Sequence, residues 1–347
     1  MKFHFNHFLI LPGIIATFVG TVIGAGFASG REIYQFFSIY GLQGFLGIFL
    51  AVICLGIAGA KVYQMGVLLQ PRSYEELLEY LLGKNLAKVA DVLLALFFLI
   101  LIGVMFAGTG SIFVMFKLGF WNGVVLTSLI LIFVLWKGLS GLISANLLII
   151  PLMFICTLMI SIFGIIKGDR TNLVLISDGV NWIIGALQFA AYNLVLAIPV
   201  LLALAKRYPN PKILHLGSWL GALLLGCMAF LVNVVILCHF SAIRASPMPV
   251  LEIAKLMGGW GFFIYGLVLW GEIFSTLLAN VYGLTERLVS LTGLPSRFLM
   301  LILVISGIFL AQLGFSELIA FFYPLFGWVC FVIILMLCLK NPAKHSL

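Results

Sequence analysis

The sequence predicts an all-α polytopic membrane protein with ten membrane-spanning helices arranged as two inverted five-helix repeats. The first observation is composition, since the 347-residue chain is 64% hydrophobic and 9% charged, with a mean hydropathy of +1.26. The second is that nearly the whole chain divides into apolar runs of about 20 residues, the length that crosses a bilayer. The third is a repeated spacing of 173 residues between matching features. We therefore expect no sizeable soluble domain.

The predicted spans alternate with short polar connections. They lie near residues 8–36, 41–66, 91–117, 121–136, 140–166, 178–205, 213–240, 259–286, 297–313 and 316–339. The first run is too long for the apolar region of a signal peptide, and further spans follow it.

The distribution of Lys and Arg predicts the orientation. With a cytoplasmic N-terminus, thirteen basic residues fall in inner loops and six in outer loops, which follows the positive-inside rule. With ten spans, both termini would lie in the cytoplasm. We expect the protein to be located in the cell membrane. This topology explains the net charge of +8 without a nucleic-acid partner. The six cysteines form no CxxC pair or metal spacing, and we expect them to pack as small apolar residues.

Two connections predict short helices on opposite sides of the membrane. Residues 72–88 contain a capping box of Ser73 and Glu76 before an apolar stripe, and residues 246–258 begin with two prolines. Ser73 and Ser246 are 173 residues apart, as are Pro151 and Pro324. We therefore predict that residues 1–170 and 171–347 are inverted repeats within one membrane domain, an arrangement typical of secondary transporters.

The first span contains a segment that disfavours a continuous helix. Residues 20–30 include four glycines, each costing about 1 kcal/mol relative to alanine in a helix. If the helix is interrupted, the amides of Gly24, Ala25 and Gly26 can hold a solute carboxylate, and the carbonyls of Gly20 and Ile23 can bind a cation. Close packing of small residues at four-residue spacing is the alternative interpretation.

The repeat spacing predicts a second interruption, in span six. Residues 20–26 map to residues 193–199, where Pro199 removes a backbone donor. Gln188, Tyr192 and Asn193 precede this proline and are candidate contacts for a polar solute. We therefore expect spans one and six both to be discontinuous.

Span eight carries polar side chains within an otherwise apolar run. Ser275 and Thr276 lie one turn after Glu272 on the same helix face. Two hydroxyls with the carbonyls of span one suit a small hard cation such as Na⁺, although hydroxyls in helices also bond to their own backbone. Glu272 is a candidate for coupling, because carboxylates inside membranes are costly and usually functional; a structural ion pair or a protonated carboxyl is the alternative.

Three further candidates have weaker support. Phe106 lies in a glycine-bearing stretch of span three and is a candidate pocket wall, although core packing is the simpler interpretation. Arg31 and Glu32 follow the glycine-rich segment directly and would either gate the pathway or anchor the interface. No nucleophile elbow, zinc-protease motif or P-loop is present in the sequence, so we expect neither an enzyme nor ATP-driven transport, and no cofactor besides Na⁺ or H⁺ as coupling ion.

Residues 18–32, with Phe36-Phe37 and Tyr40-Gly41, resemble the opening of the YkvI-type membrane proteins, a branch of the amino acid–polyamine–organocation superfamily. The resemblance implies a LeuT-type fold, in which broken spans one and six surround the solute. It implies a solute site at Gly24, Ala25 and Gly26, and a sodium site at Gly20, Ile23, Ser275 and Thr276. Glu272, beside the hydroxyl pair, departs from the sodium pattern and leaves proton coupling open.

These observations predict a secondary active transporter that moves an amino acid or related small zwitterion by alternating access, driven by Na⁺ or H⁺. Its partners would be this solute and membrane lipid; the sequence does not indicate the oligomeric state. The main alternative is a sensor that uses a transporter fold to bind a solute without turnover. A membrane-embedded enzyme is disfavoured, because Glu272 has no paired acid, histidine cluster or metal set in the sequence.

Overall fold

The computed structural model describes residues 10–168, 179–243, 246, 248–313 and 315–340. This part of the chain is α-helical with short turns and contains no β-strand. We number the helices in chain order: α1 Ile10–Val22, α2 Ala25–Ala28, α3 Arg31–Phe36, α4 Gln43–Leu69, α5 Tyr74–Leu82, α6 Lys84–Met115, α7 Phe120–Leu135, α8 Leu139–Lys167, α9 Asn181–Arg207, α10 Pro211–Cys238, α11 Phe240–Ile243, α12 Pro249–Lys255, α13 Gly259–Thr292, α14 Ser296–Leu310 and α15 Phe315–Leu339.

The helices have the lengths and surfaces of a multi-pass membrane protein. Six of those described, α4, α6, α8, α9, α10 and α13, are long and apolar enough to cross a bilayer, and α1, α7, α14 and residues 326–339 of α15 are shorter apolar helices. Large apolar side chains on α8 remain exposed along one face, among them Leu148, Ile155, Ile162 and Ile166. Such a stripe is costly in water and is expected where lipid surrounds the protein.

The 173-residue spacing relates helices in the two halves. Adding 173 to the bounds of α6 gives residues 257–288, and α13 spans Gly259–Thr292. The same shift takes α5 to residues 247–255, against Pro249–Lys255 for α12, and α8 to residues 312–340, against Phe315–Leu339 for α15. The helix bounds thus follow the predicted repeat. The predicted division at residues 170 and 171 lies outside the described residues and stays a prediction.

The predicted interruption of span one is confirmed. Helix α1 ends at Val22, the chain is non-helical at Ile23 and Gly24, and the short α2 follows. A second turn separates α2 from α3, with Gly30 at φ 80°, a conformation that L side chains rarely adopt. A Cβ on Gly30 would also lie 2.5 Å from Val250 Cγ2 on α12. Span one is therefore built from three helical pieces.

The predicted interruption of span six is wrong. Helix α9 runs without a break from Asn181 to Arg207 and includes Pro199. Proline removes one backbone hydrogen bond, and membrane helices tolerate this where neighbouring groups satisfy the freed carbonyl. Unlike residues 20–30, residues 188–199 contain no glycine to lower the helix propensity further. The two halves therefore share helix order but differ in continuity at this point.

The predicted helix over residues 72–88 forms as two helices. Gly83, at φ 79°, ends α5, and α6 begins with the next residue. The capping box is incomplete, because Ser73 makes no side-chain cap while Glu76 Oε2 accepts a hydrogen bond from the backbone N–H of Arg72 at 2.7 Å. Leu77, Leu78 and Leu81 are buried on the apolar stripe of α5, as the pattern predicts.

Candidate functional site

The end of α1 meets the hydroxyl pair of α13. The Thr276 hydroxyl donates to the Ile23 carbonyl at 2.6 Å, and Ser275 Oγ lies 2.8 Å from the Gly20 carbonyl oxygen. Carbonyls in the last turn of a helix have no partner within the helix, and the interruption after Val22 creates such an end inside the bundle. The hydroxyls bond across to span one rather than to their own helix. All four residues of the predicted cation site are thus in contact.

A fifth oxygen joins this cluster from α8. Asn146 Oδ1 lies 2.6 Å from Ser275 Oγ, and Asn146 and Ser275 are both fully buried. A Cβ on Gly20 would lie 2.7 Å from both side chains, so glycine is needed for this approach. A serine hydroxyl carries one hydrogen, and it cannot donate to the Gly20 carbonyl and the Asn146 amide oxygen together. One of these two acceptors is therefore left without a hydrogen from Ser275, while Asn146 Nδ2 has no hydrogen-bond partner among the described residues. A cation would satisfy both oxygens.

Glu272 is buried in the same face of α13. Its side chain is 0% exposed, and neither carboxyl oxygen has a hydrogen-bond partner among the described residues. Tyr265, two turns earlier on this face, donates its hydroxyl to the Ala28 carbonyl, and Thr276, one turn later, bonds to Ile23. Glu272 thus lies on a helix face that contacts span one both before and after it. An unpaired buried carboxylate is costly, so this group requires a proton or a cation.

The interruption of span one is occupied on one side by a carboxylate of the chain itself. Glu32 is 5% exposed, and a Cβ placed on Gly26 would overlap its carboxyl group. Glu32 Oε1 also lies 4.0 Å from the position of a Cβ on Gly24. The turn at Gly30 allows α3 to return Glu32 to this place. The sequence predicted a solute carboxylate beside Gly24, Ala25 and Gly26, whereas the structure places a carboxylate of span one beside both glycines.

Two of the three solute candidates of span six hold this carboxylate. The buried Tyr192 hydroxyl donates to Glu32 Oε2 at 2.5 Å. The buried Asn193 side chain lies beside Glu32, and its Nδ2 donates to the Phe189 carbonyl at 3.0 Å. Spans one and six therefore meet at Glu32 although span six is continuous.

Aromatic rings pack against Tyr192 and against one another next to this contact. The Phe36 ring centroid lies 5.7 Å from that of Tyr192 and 6.0 Å from that of Phe189. Phe189 is perpendicular to Tyr192 at 6.0 Å, and Phe27 lies 6.5 Å from Phe189. All four rings are buried. We call Phe27, Phe36, Phe189 and Tyr192 the aromatic cluster.

Two predicted solute contacts lie elsewhere. The Phe106 ring packs against Gly307, so that a Cβ on that glycine would meet its ring carbons at 3.0 and 3.1 Å. This places Phe106 between spans three and nine, as the core-packing interpretation predicts. Gln188 lies against Gly327 of span ten, with side-chain carbons 3.8–3.9 Å from a Cβ on that glycine. The sequence shows that these side chains are aromatic or polar, but not toward which neighbouring helix they point.

Arg31 points away from Glu32, toward the short helix of the second half. Its guanidinium lies over the Tyr34 ring at 5.5 Å, and Nη1 is 3.5 Å from the Ser246 carbonyl oxygen. The backbone N–H of Val250 on α12 donates to the Ser29 carbonyl at 3.0 Å. Helix α12 therefore covers the turn between α2 and α3, and Arg31 contributes to this cover.

The sequence analysis missed an ion-pair network at the other end of α13. Arg287 is 4% exposed and bonds both oxygens of Asp91, at 2.8 and 2.6 Å. Its Nη1 lies 2.6 Å from Glu75 Oε2, so α13, α6 and α5 are joined. The missed Asn146 had a visible signal, since it is an amide in the middle of an apolar run. Asp91 and Arg287 had none, because each falls near the predicted end of a span.

The fold is that of known membrane transporters. MhsT in complex with L-phenylalanine matches at a TM-score of 0.69 and 16% identity, covering 93% of this chain and 86% of MhsT. A Na⁺-coupled sialic acid symporter matches at a TM-score of 0.70 and 14% identity, covering 95% of this chain and 79% of the symporter. Mhp1, a nucleobase-cation-symport-1 family transporter, matches at a TM-score of 0.59 and 12% identity, covering 92% of this chain and 77% of Mhp1. The chain has a LeuT-type fold, as the resemblance implies.

Sequence comparison agrees with the resemblance found at the start of the chain. The "Uncharacterized membrane protein YkvI" of Bacillus subtilis (strain 168) is 28% identical over 340 residues, covering 95% of this chain and 96% of the relative. The protein YyaD of the same strain is 28% identical over 321 residues, with coverage of 92% and 94%. No protein-family model matches the chain. The chain is thus similar to YkvI along nearly its whole length.

Proposed function

We propose that this protein is a cation-coupled secondary transporter of a small amine-bearing solute, with an amino acid or related zwitterion as the expected class. The observation that carries the proposal is the contact between the end of α1 and the hydroxyl pair of α13. It brings together the carbonyls of Gly20 and Ile23 with the hydroxyls of Ser275 and Thr276. Oxygen ligands of this kind suit a hard monovalent cation.

The fold supports the same proposal. Discontinuous membrane helices supply half-helix ends to substrate and ion sites in secondary transporters. Here the interruption of span one supplies two carbonyls to the oxygen cluster and exposes Gly24 and Gly26 to Glu32. One structural neighbour is a Na⁺-coupled symporter of sialic acid, and another was solved with L-phenylalanine. Na⁺ is the coupling ion we propose first, with H⁺ at Glu272 as the second.

Reconstituted protein tests this proposal. We expect proteoliposomes to accumulate a label from a mixture of radiolabelled amino acids when an inward Na⁺ gradient is imposed, and to exchange preloaded solute in counterflow. Ser275→Ala should reduce the Na⁺-dependent part of the accumulation, since it removes the hydroxyl beside the Gly20 carbonyl. Ser144→Ala is the matched control, because the exposed Ser144 hydroxyl bonds to the Ser140 carbonyl of its own helix.

A sensor without turnover is the second candidate function. It would bind solute in the same place and show no counterflow. Binding of a labelled amino acid by the purified protein, without exchange in proteoliposomes under Na⁺ or H⁺ gradients, would favour the sensor and contradict transport. Accumulation that is equal with Na⁺, with choline and at all proton gradients would contradict cation coupling.

A further inference from the structure

We propose that Glu32 and the aromatic cluster form the recognition site for the positively charged group of the solute, so that the solute is an amine whose own carboxylate is dispensable. This inference rests on the proposed function, because it assigns the substrate class of the same site. It reverses the role predicted for the glycines, which was to bind an anionic group of the solute.

The first step of the argument is the charge of Glu32. Its carboxyl group is buried beside Gly24 and Gly26, accepts a hydrogen bond from Tyr192 and has the Asn193 amide beside it. No Lys, Arg or His forms an ion pair with it among the residues that the structure describes, and the adjacent Arg31 is directed to Ser246 and Tyr34. A hydroxyl and an amide are neutral partners. A buried carboxylate with neutral partners lacks a compensating positive charge.

The second step is repulsion. A solute carboxylate bound at the glycine amides would lie next to Glu32, because the Glu32 carboxyl occupies the space where a Cβ of Gly26 would lie. Like charges in contact within a low-dielectric site are strongly unfavourable. An ammonium group in the same place is attracted instead. An ionised carboxylate offers about four acceptor positions. Tyr192 uses one of them, so others can accept hydrogen bonds from the solute.

The third step is the nature of the walls. Tyr192 bonds the carboxylate and packs against Phe36 and Phe189, and Phe27 packs on Phe189, with ring centroids 5.7–6.5 Å apart. Aromatic faces attract ammonium groups, and cages of such rings are a general solution for binding them. Ring faces repel an anionic group, because the face of the ring quadrupole is negative. A carboxylate within an aromatic cluster therefore selects organic cations over carboxylic acids.

The fourth step is the location between the two halves. Glu32 belongs to span one, Tyr192 and Phe189 to span six, and α12 covers the turn at Ser29 and Gly30. A solute that neutralises Glu32 would thus contact both elements that carry the proposed transport cycle, and would be released when α12 and α3 separate.

Matched probes test the inference. Thermal unfolding of the purified full chain in detergent, at fixed Na⁺, would be measured with ethylammonium, guanidinium and acetate. It would also be measured with phenylalanine, phenethylamine and 3-phenylpropionate, which share one side chain. We expect the ammonium-bearing probes to raise the melting temperature and the two acids to have no effect, since a ligand that binds only the folded state stabilises it by mass action.

Variants locate the effect. Glu32→Gln should lower the affinity for the ammonium probes at least tenfold, Glu32→Asp should retain part of it, and Tyr192→Phe should weaken it less than Glu32→Gln. Glu252→Gln is the control, because Glu252 is an exposed carboxylate on α12 whose ion pair with Lys255 leaves Glu32 untouched. If Glu32→Gln fails to fold, Glu32→Asp and Tyr192→Phe still test the site.

Three results would overturn the inference. They are stabilisation by the acids but not the amines, no shift with any ammonium probe, or equal shifts in the wild type, Glu32→Gln and Tyr192→Phe. New binding of acetate by Glu32→Gln would likewise show that Glu32 only competes with an anionic solute. Failure of transport is separable, because Glu32-dependent ammonium binding without counterflow would remove the transporter proposal and leave this inference standing.

Discussion

Thr276→Val is the sharpest test of the oxygen cluster at the end of α1. Valine has nearly the shape of threonine but lacks the hydroxyl that donates to the Ile23 carbonyl at 2.6 Å. Thr276 is 6% exposed, so water does not readily replace this bond. A buried acceptor left without a donor costs about 1–3 kcal/mol. We therefore expect the ion-free protein to lose stability by that amount.

Thr276→Val should also lower the affinity for Na⁺, and we expect this effect to be larger than the loss of stability. A polar group that faces a charge contributes about 1.5–3 kcal/mol, which corresponds to roughly 10- to 100-fold in affinity. The assay is thermal unfolding at increasing NaCl, with choline chloride holding ionic strength constant, because stabilisation follows ligand concentration and dissociation constant. Thr276→Ser should restore the affinity to within a few-fold.

The control for this experiment is Thr292→Val on the same helix, since the Thr292 hydroxyl is exposed and bonds to its own backbone at Leu288. It should leave the Na⁺ dependence unchanged. An unaltered Na⁺ midpoint in Thr276→Val would refute the reasoning, even if the variant were less stable, because the hydroxyl would then be structural alone.

Three further expectations follow from buried residues. Glu272→Gln should remove the pH dependence of uptake while keeping the protein folded, because the amide fills the same volume without carrying a proton; a pH profile equal to wild type in proteoliposomes would exclude coupling through Glu272. Arg287→Met should destabilise by about 3–5 kcal/mol in denaturant titrations, because Asp91 and Glu75 lose their shared cation, with exposed Arg297→Met as control. Gly30→Ala should lower the melting temperature, because φ is 80° and Val250 is in the way.

The interruption of span one could be predicted because its cause is local. Four glycines within residues 20–30 weaken any helix, whatever surrounds it. The partnership of its carbonyls with Ser275 and Thr276 could also be predicted, because the two hydroxyls are a polar pair in an apolar span and the resemblance to the LeuT-type fold implies that this span lies beside span one. These are properties of residue type and period, which a sequence displays directly.

The errors in span six have the opposite origin. The repeat spacing maps the interruption of span one to residues 193–199, but this segment lacks the glycines of span one. Pro199 alone does not interrupt α9, which is continuous. Gln188 lies against Gly327 of span ten, and its predicted contact with a solute stays a prediction. Rotation of one helix against its neighbours depends on packing across the whole bundle and has no local signature.

Two other contacts between distant elements had no signal in the sequence. Arg287 and Asp91 are 196 positions apart and meet only because α6 and α13 pack together. Glu32 was recognised as a gating candidate by its place after the glycines. Its return to Gly26 depends on the turn at Gly30, whose conformation is visible only in the folded chain.

The two proposed sites share one backbone interruption, and this predicts thermodynamic coupling between them. Ile23 contributes its carbonyl to the oxygen cluster, and the next residue, Gly24, faces the Glu32 carboxylate. A cation that fixes Ile23 thereby restrains the backbone on which the amine site is built. Coupling between two binding equilibria is reciprocal. Na⁺ should therefore tighten ammonium binding by the same factor by which ammonium tightens Na⁺ binding.

Paired titrations test this reciprocity. Phenethylamine binding would be measured with saturating Na⁺ and with choline, and Na⁺ binding with and without saturating phenethylamine. Equal factors of about 5- to 150-fold, the usual range for coupled sites, are expected in the wild type. Thr276→Val should reduce both factors toward one, whereas Thr292→Val should reduce neither. Independent binding in the wild type would show that the two halves of the interruption act separately, and transport coupled through span one would then be excluded.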